Sequence, residues 1–408
     1  MFTDYCGTPL PTPAPYGSGT IADLFESAGT LVKQRTITPD PHPLWGEGAH
    51  DAIGLAQRLE QAGINPDKFR SVCVVMVDGL GEDLLQKYAS YAPFLKNSIS
   101  LGTLHSAIPS TTAASLTSFG TALPPGIHGV AGYEVRNPEN DAVVNHLSGW
   151  DSSIDPHRWQ PYPTVFERYE NYCNVATVSL SRYQKSGLSQ FGLRGGEFFH
   201  AQAPTGRITL GTSLLSSRKP SLVYMYWGEI DQAGHRFGTG STQWIYQLEE
   251  LNLSLRKLSE RVPAQTLLLL SADHGMLNID REHRYDYSAD EHLIENVRLT
   301  AGEPRMVQLY LKDNSKEAKE KTLNDWAKRW GEQAWIIDTE EACEQGLFGI
   351  EVRDQARARI GDILIACREP IALYDKRRAK PQAFDMVGQH GSLTETETTI
   401  PLRVLPTT

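Results

Sequence analysis

The chain has 408 residues, of which 40% are hydrophobic and 22% are charged, and its net charge at neutral pH is −10. This length and composition predict a soluble globular protein with a substantial core, and they exclude a disordered chain. A nucleic-acid polymer is an unfavourable partner for an acidic chain, because phosphate backbones bind clustered Lys and Arg. A small phosphate can still bind such a protein through metal ions.

The N-terminus lacks the basic and then apolar pattern of a secretory signal, and no apolar run reaches membrane-spanning length. The five cysteines are widely separated and show no C-x-x-C spacing. We therefore expect reduced thiols, a cytoplasmic location and no membrane partner. Residues 1–20 are rich in Pro, Gly and Thr and predict an irregular surface arm, and helical spacing follows over 21–33 and 51–62.

Four continuous apolar runs are typical of strands that are buried on both faces of a parallel sheet. Segments with helical spacing alternate with them, notably 82–89, 163–170 and 242–258. The sequence therefore predicts an α/β fold with a mostly parallel central sheet and helices on both faces. The predicted strands are Val72–Val77, Val175–Leu180, Leu222–Trp227 and Thr266–Leu270.

The pattern changes between residues 303 and 375, where short strand patterns surround a charged amphipathic helix at 316–330. This segment predicts a smaller α+β insertion or cap. Residues 1–302 would then form the catalytic core, and residues 376–408 would return to it. The predicted strands of the insertion are 306–311, 334–337 and 363–366, and a second helix is predicted at 352–359.

A stretch rich in hydroxyl groups follows Pro109. Proline ends an extended segment, and Ser and Thr are residues that cap helix N-termini. Apolar residues then fall on one face from 112 to 123, where a Pro-Pro-Gly run ends the pattern. Either Thr111 or Thr112 begins this helix. Its free N–H groups and positive dipole end favour a bound phosphate, although a plain helix cap is the alternative interpretation.

Acidic residues and histidines follow three of the predicted strands. The carboxyl ends of neighbouring parallel strands meet at one edge of a sheet, so we expect these side chains to lie close together. Asp and His are the usual oxygen and nitrogen ligands of zinc and similar ions. A histidine in the Gly-rich turn near the C-terminus is a further candidate. The candidate ligands are Asp78, Asp231, His235, Asp273, His274 and His390.

This set of motifs resembles the alkaline phosphatase superfamily, specifically its nucleotide pyrophosphatase/phosphodiesterase branch. The resemblance spans residues 71–275 and resumes near 388. It implies an alkaline-phosphatase-like fold with two divalent metal ions, which we expect to be zinc. The motifs are Asp78-Gly79, Pro109-x-x-Thr112, His128-Gly129, Asp231-x-x-x-His235, Asp273-His274-Gly275 and His390-Gly391.

The resemblance also implies a role for each residue. One ion would be held by Asp231, His235 and His390, and the other by Asp78, Asp273, His274 and the hydroxyl oxygen of Thr112. Thr112 would be the nucleophile, because counting back from the His-Gly motif favours it over Thr111. It would attack phosphorus to give a phospho-threonine, which water then hydrolyses. Coordination by divalent ions favours the alkoxide, as two-metal phosphoryl transfer requires.

This chemistry predicts a phosphodiesterase or nucleotide pyrophosphatase acting on a small phosphoester or nucleotide. Tyr133 stands where the nucleotide branch carries an Asn that donates to phosphate, and it could donate, stack on a base or form a plain wall. Tyr183 and Lys185 are further substrate-binding candidates, with a surface loop as the alternative. A phosphomonoesterase, a phosphonate hydrolase and a non-catalytic phospho-ligand binding protein remain as alternatives. The absence of Arg between Thr112 and Arg136 favours diesters.

Overall fold

The structure is a computed structural model that describes residues 2–32, 39–43, 50–148 and 150–407. Its strands, in chain order β1 to β17, are Ser71–Val77, Ile99–His105, Glu134–Asn137, Ala142–Asn145, Asn174–Ser179, Glu197–His200, Ser221–Trp227, Thr266–Ser271, Leu277–Asn278, Arg284–Asp286, Val297–Glu303, Met306–Leu311, Ala334–Asp338, Ile363–Cys367, Ala372–Tyr374, Gly388–Gln389 and Thr399–Leu405.

Its α-helices, in chain order α1 to α17, are Ile21–Thr30, Leu55–Gln61, Glu82–Lys87, Pro93–Lys96, Thr112–Thr121, Pro125–His128, Pro156–Trp159, Val165–Tyr169, Gly187–Phe191, Pro204–Leu215, Glu229–Phe237, Thr242–Ser259, Glu291–Ile294, Lys316–Trp330, Thr339–Glu344, Asp354–Arg357 and Glu395–Thr398. Within the described ranges, none of these helices is both long enough and apolar enough to cross a bilayer.

A seven-stranded sheet forms the centre of the molecule, in the order β2-β17-β8-β1-β7-β5-β6. The five adjacent strands β8, β1, β7, β5 and β6 run parallel to one another. β17 is antiparallel to both of its neighbours, β8 and β2. Every residue of β1, β7 and β8 is buried, which explains their continuous apolar runs. The prediction of a mostly parallel sheet is confirmed, and the four predicted strands correspond to β1, β5, β7 and β8.

Helices cover both faces of this sheet, as contacts to two successive residues of β7 show. The ring of Tyr224 packs against Phe25 of α1, Phe119 of α5 and Phe166 of α8. The next residue, Met225, packs closely against Gly211 of α10. A Cβ atom added to Gly211 would lie only 2.4 Å from the Met225 methyl group. Because successive side chains of a strand point to opposite faces, the two sets of helices lie on opposite sides.

The predicted helices agree in position with the observed ones and differ mainly at their ends. α12 matches its predicted span to within one residue, whereas α1 ends at Thr30. The predicted end of that helix at residue 33 lies outside the described residues. α2 begins only at Leu55, because Gly54 adopts a left-handed conformation with φ of 62° immediately before it.

Three strands of the central sheet, β2, β6 and β17, were not predicted from the sequence. β2 lies at the edge of the sheet and exposes most of its residues, so it lacks a continuous apolar run. β17 contains Pro401, and its pairing with β2 is irregular between Pro401 and Arg403. Proline within a run argues against a strand unless the ladder is interrupted there, which is the case in β17.

A second sheet of four antiparallel strands has the order β11-β12-β14-β13. Its strands β12, β13 and β14 and the helix α14 correspond to the predicted elements of the 303–375 segment. β11 begins earlier, at Val297, and pairs with β12. The small sheet therefore draws on residues before position 303, and the division of the chain into core and cap remains a proposal.

Arg305 connects this small sheet to the segment that follows His390. The guanidinium group is fully buried and donates to both carboxylate oxygens of Glu397, at 3.1 and 2.7 Å. It also donates to backbone carbonyl groups of Cys367 and Ile371. Because this charge is paired and hydrogen-bonded on all sides, its burial is tolerated.

Replacing Arg305 with alanine would leave the Glu397 carboxylate buried without its cation. We expect this variant to lose about 3–5 kcal/mol of unfolding free energy, as buried pairs do when one partner is removed. Chemical denaturation followed by circular dichroism measures the loss. Lys321→Ala is the control, because its ion pair with Glu295 lies at the surface and should contribute little. Equal stability of the two variants would contradict the structural role of Arg305.

Candidate functional site

The carboxyl ends of β7, β1 and β8 lie side by side and bring three acidic segments together. Asp78 directly follows the middle strand, and Asp273 and His274 follow β8. The Nε2 atom of His274 lies 3.3 Å from Asp78 Oδ1 and 3.5 Å from Asp273 Oδ2. All three side chains are buried. Three of the predicted ligands, Asp78, Asp273 and His274, therefore lie close together, as expected from the meeting of these strand ends.

The second group gathers around Asp231 on α11. His235 lies one helical turn further on, and its Nε2 atom is 3.3 Å from Asp231 Oδ1. His390 reaches the same oxygen from the turn after β16, with its Nε2 atom 3.9 Å away. The ring of His390 also stacks on that of His274, with 3.6 Å between centroids. The two groups therefore form one continuous cluster.

Each of the three histidines is oriented by a backbone carbonyl group. The Nδ1 atoms of His235, His274 and His390 lie 2.7, 3.0 and 2.8 Å from the carbonyl oxygens of Gly388, Gly275 and Ser110 respectively. A carbonyl oxygen only accepts hydrogen bonds, so Nδ1 must carry the proton in each ring. The Nε2 atoms consequently face the carboxylates, which is the arrangement that metal-binding histidines adopt.

Two buried carboxylate oxygens in the cluster, Asp231 Oδ1 and Asp273 Oδ2, have no hydrogen-bond partner. The neutral rings of His235 and His390 present lone pairs to Asp231, and such contacts repel unless a cation lies between them. Two groups of residues each bring their ligand atoms within 4.8 Å of one another, and His274 belongs to both groups. The residues therefore fit divalent cations. The groups are Asp231, His274 and His390, and Asp78, Asp273 and His274.

The pKa values in the metal-free cluster show how strongly its charges interact. Burial raises the pKa of Asp231 and Asp273 well above the usual range, and the neighbouring Asp78 charge raises both further. Burial also opposes ionisation of Asp78, but the hydrogen bond and charge of His274 outweigh it and lower its pKa. Burial lowers the pKa of His274, yet the Asp273 and Asp78 carboxylates raise it to about 10. A proton on His274 thus offsets part of the negative charge of these carboxylates.

Thr112 is the first residue of α5 and is nearly buried. Its hydroxyl oxygen lies 3.1 Å from His274 Nε2 and 3.4 Å from Asp78 Oδ1. Thr111 has an extended backbone and is the N-cap residue, so the helix begins after it. The geometry therefore places the Thr112 hydroxyl against the acidic cluster, at the positive end of the helix.

A cavity of about 370 Å³ opens in front of Thr112 and is lined largely by apolar and aromatic side chains. Tyr133 and Tyr183 both line it, as do Thr111 and Thr112. Lys185, in contrast, is exposed and is not one of the described residues that line the cavity. Two of the three predicted substrate-binding side chains are therefore brought to the site.

Two further residues of the cavity were not predicted from the sequence. Tyr226, which lies in the predicted strand Leu222–Trp227, donates its phenol hydrogen to Asp78 Oδ2. Glu303 lies at the end of β11 and is buried in the cavity wall. The position of Tyr226 near the end of β7 was a usable signal, whereas nothing in the sequence links Glu303 to the nucleophile. His128 is buried beside Ser118 and lies outside the cavity.

A family model described as type I phosphodiesterase / nucleotide pyrophosphatase matches residues 72–393, which is most of the chain. The chain belongs to this family. Its assignment to the nucleotide pyrophosphatase branch of the alkaline phosphatase superfamily is thereby confirmed, and phosphoester hydrolysis is the activity that the family supports. The matched range contains every predicted metal ligand.

Relatives of this phosphodiesterase family member agree in fold. A murine ectonucleotide pyrophosphatase/phosphodiesterase 5, solved as an inactive variant with AMP, has a TM-score of 0.62 at 14% identity, covering 82% of this chain and 87% of that one. Phosphonoacetate hydrolase from Sinorhizobium meliloti, solved with phosphonoformate, has a TM-score of 0.59 at 19% identity, covering 83% and 90%.

A sequence relative is the human ectonucleotide pyrophosphatase/phosphodiesterase family member 7. It is 25% identical over an alignment of 147 residues, and the match covers 26% of this chain and 31% of the relative. The chain therefore spans about a third of the length of that curated relative. The match supports the family but does not extend to the relative's own substrates.

We expect the protein without bound metal to lose stability as the pH rises from about 6.5 to about 10. Over this range folded His274 keeps a proton that the unfolded chain releases near 6.5, so its contribution is complete below 6.5 and lost towards 10. The raised pKa values of Asp231 and Asp273 act in the same direction. The lowered pKa of His235, about 4, changes stability only below 6.5.

Melting temperatures of chelator-treated protein, measured across this pH range, test the expectation. Addition of zinc should raise the melting temperature and flatten its dependence on pH, because bound cations replace the His274 proton. His274→Gln is the comparison variant and should show a smaller decline without metal. A metal-free melting temperature that is constant from pH 7 to 10 would contradict this account.

Proposed function

We propose that this protein hydrolyses phosphodiester or phosphoanhydride bonds with Thr112 as nucleophile and a phospho-threonine as intermediate. The main observation in support is the position of the Thr112 hydroxyl oxygen, which lies within 3.4 Å of both His274 Nε2 and Asp78 Oδ1. These side chains belong to a buried cluster that fits divalent ions. Thr112 Oγ1 would attack phosphorus while the bond to the leaving oxygen breaks. Water would then attack the same phosphorus, the bond to Thr112 Oγ1 would break, and the phosphoryl group would leave with its remaining substituent as a monoester.

The chain's own residues prepare this reaction. Asp231, His235 and His390 would hold one ion, and Asp78, Asp273, His274 and Thr112 the other. When bound, two divalent ions, which we propose to be zinc, favour ionisation of the threonine hydroxyl and neutralise phosphate charge. Tyr226 fixes the carboxylate of Asp78 by a hydrogen bond. The N-terminus of α5 adds positive potential beside the attacking oxygen.

The cavity supports diesters over monoesters. Among the described residues that line it there is no Lys or Arg, so no side-chain cation is available for a dianionic phosphate or a substrate carboxylate. A phosphomonoesterase or a phosphonocarboxylate hydrolase would profit from such a cation. The largely apolar walls instead suit an aryl or nucleoside group, and a structural neighbour was solved with AMP.

Replacing Thr112 with alanine should reduce turnover of bis(p-nitrophenyl) phosphate by at least about a thousandfold, since the nucleophile is lost. Thr111→Ala is the matched control and should retain most activity. Initial rates with zinc present measure both variants. Mass spectrometry of acid-quenched wild-type enzyme should detect a p-nitrophenyl phosphoryl group on the peptide that contains Thr112. Full activity of Thr112→Ala would remove the assignment and favour another nucleophile.

The substrate preference is tested with three p-nitrophenyl esters: bis(p-nitrophenyl) phosphate, the thymidine 5′-monophosphate ester and p-nitrophenyl phosphate. We expect kcat/KM to be at least about tenfold higher for the two diesters, because the cavity offers no cation to the dianion. Turnover of the monoester alone would favour the phosphomonoesterase alternative. Binding of phosphate without hydrolysis of any ester would favour a phospho-ligand binding protein. Metal analysis of the purified protein tests whether the bound ions are zinc. The cytoplasmic location of the protein remains a prediction.

A further inference from the structure

Glu303 is a buried carboxyl group in the wall of the cavity, and the proposed reaction does not use it. It is the last residue of β11, and only 5% of its surface is exposed. Its Oε1 atom accepts the backbone N–H of Tyr133. Its Oε2 atom is buried and has no hydrogen-bond partner. An unsatisfied buried oxygen in a ligand cavity is costly unless a ligand completes its hydrogen bonding.

The position of this carboxyl group is tightly constrained. A Cβ atom added to Gly391 would lie 2.9 Å from the Glu303 Cβ and 3.1 Å from its Cγ. Gly391 has a φ of +128°, which disfavours any other residue, and directly follows His390. Glu303 therefore packs against the turn that carries His390, and it lines the same cavity as Thr111 and Thr112.

The surroundings of Glu303 favour its neutral form. No Lys or Arg among the described residues forms an ion pair with it. Burial raises the pKa of Glu303 to about 8, and the nearby Glu134 charge adds to this, whereas the Tyr133 amide and the Thr111 hydroxyl partly oppose it. In a neutral carboxyl group one oxygen accepts and the other donates. With Oε1 accepting from Tyr133, Oε2 is the oxygen that can donate.

We propose that Glu303 is a substrate-binding residue whose Oε2 atom donates a hydrogen bond to a phosphoryl oxygen of the ester that Thr112 attacks. The inference rests on the proposed function. A phosphoryl group in this cavity meets no side-chain cation among the described lining residues, so its oxygens depend on bound ions and neutral donors. Glu303 supplies such a donor from the small sheet, beside Thr111 at the start of the helix that carries Thr112.

Two substitutions at Glu303 separate hydrogen-bond donation from charge. The Gln side chain has the same shape, accepts from Tyr133 with its oxygen and donates with its amide nitrogen. We therefore expect Glu303→Gln to stay within about threefold of wild type. Glu303→Ala removes the donor, and we expect the KM for bis(p-nitrophenyl) phosphate and the Kd for inorganic phosphate to rise about tenfold to a hundredfold.

Both quantities are measured on zinc-loaded protein at pH 7, by steady-state kinetics and by calorimetry. Glu295→Gln is the control, because Glu295 pairs with Lys321 at the surface outside the cavity and should leave the Kd unchanged. Equal losses in the Gln and Ala variants would overturn the proposal and indicate a carboxylate that accepts from the substrate. Unchanged binding in both variants would overturn it as well.

Melting temperatures separate a binding defect from a folding defect, because the near-isosteric Glu303→Gln variant should remain as stable as wild type. The phosphate measurement also keeps this inference separate from the proposed function. If wild-type protein hydrolyses none of the esters, the proposed function fails, while the Kd for phosphate still shows whether Glu303 binds a phosphoryl oxygen.

Discussion

The meeting of three strand ends creates the physical constraint on which this structure depends. The order β7-β1-β8 brings Asp78, Asp231 and Asp273 into one buried cluster, where their negative charges repel one another. Burial and mutual repulsion raise the pKa of two of these carboxyl groups, and a proton on His274 offsets the rest. Cations bound among these side chains would offset the same negative charge, so we expect metal binding to stabilise the fold.

The small antiparallel sheet contributes to this site in two ways. Arg305, just beyond β11, fixes Glu397 and thereby the segment that follows His390. Two residues earlier, Glu303 reaches the cavity and packs against Gly391. One strand end thus supports the turn that carries His390 and presents a carboxyl group to the cavity.

Much of the fold follows from the sequence, because strands buried on both faces must be apolar along their whole length. The four predicted strands of this kind are observed, and so is the amphipathic helix Lys316–Trp330. The edge strand Ile99–His105 and the interrupted strand Thr399–Leu405 could not be predicted, because neither carries a continuous apolar run. Their pairing depends on the strands already in place, which is information that no local pattern contains.

The same distinction applies to the site. Motif order and residue type in the sequence were sufficient to predict that Thr112 and the Asp and His residues lie together, because metal ligation restricts which side chains are possible. Only the tertiary structure placed Tyr226 on Asp78, left Lys185 outside the cavity and brought Glu303 to its wall. These side chains act through packing across distant segments, where many residue types fit equally well. Sequence thus determined the chemistry of the cluster, and the fold decided what surrounds it.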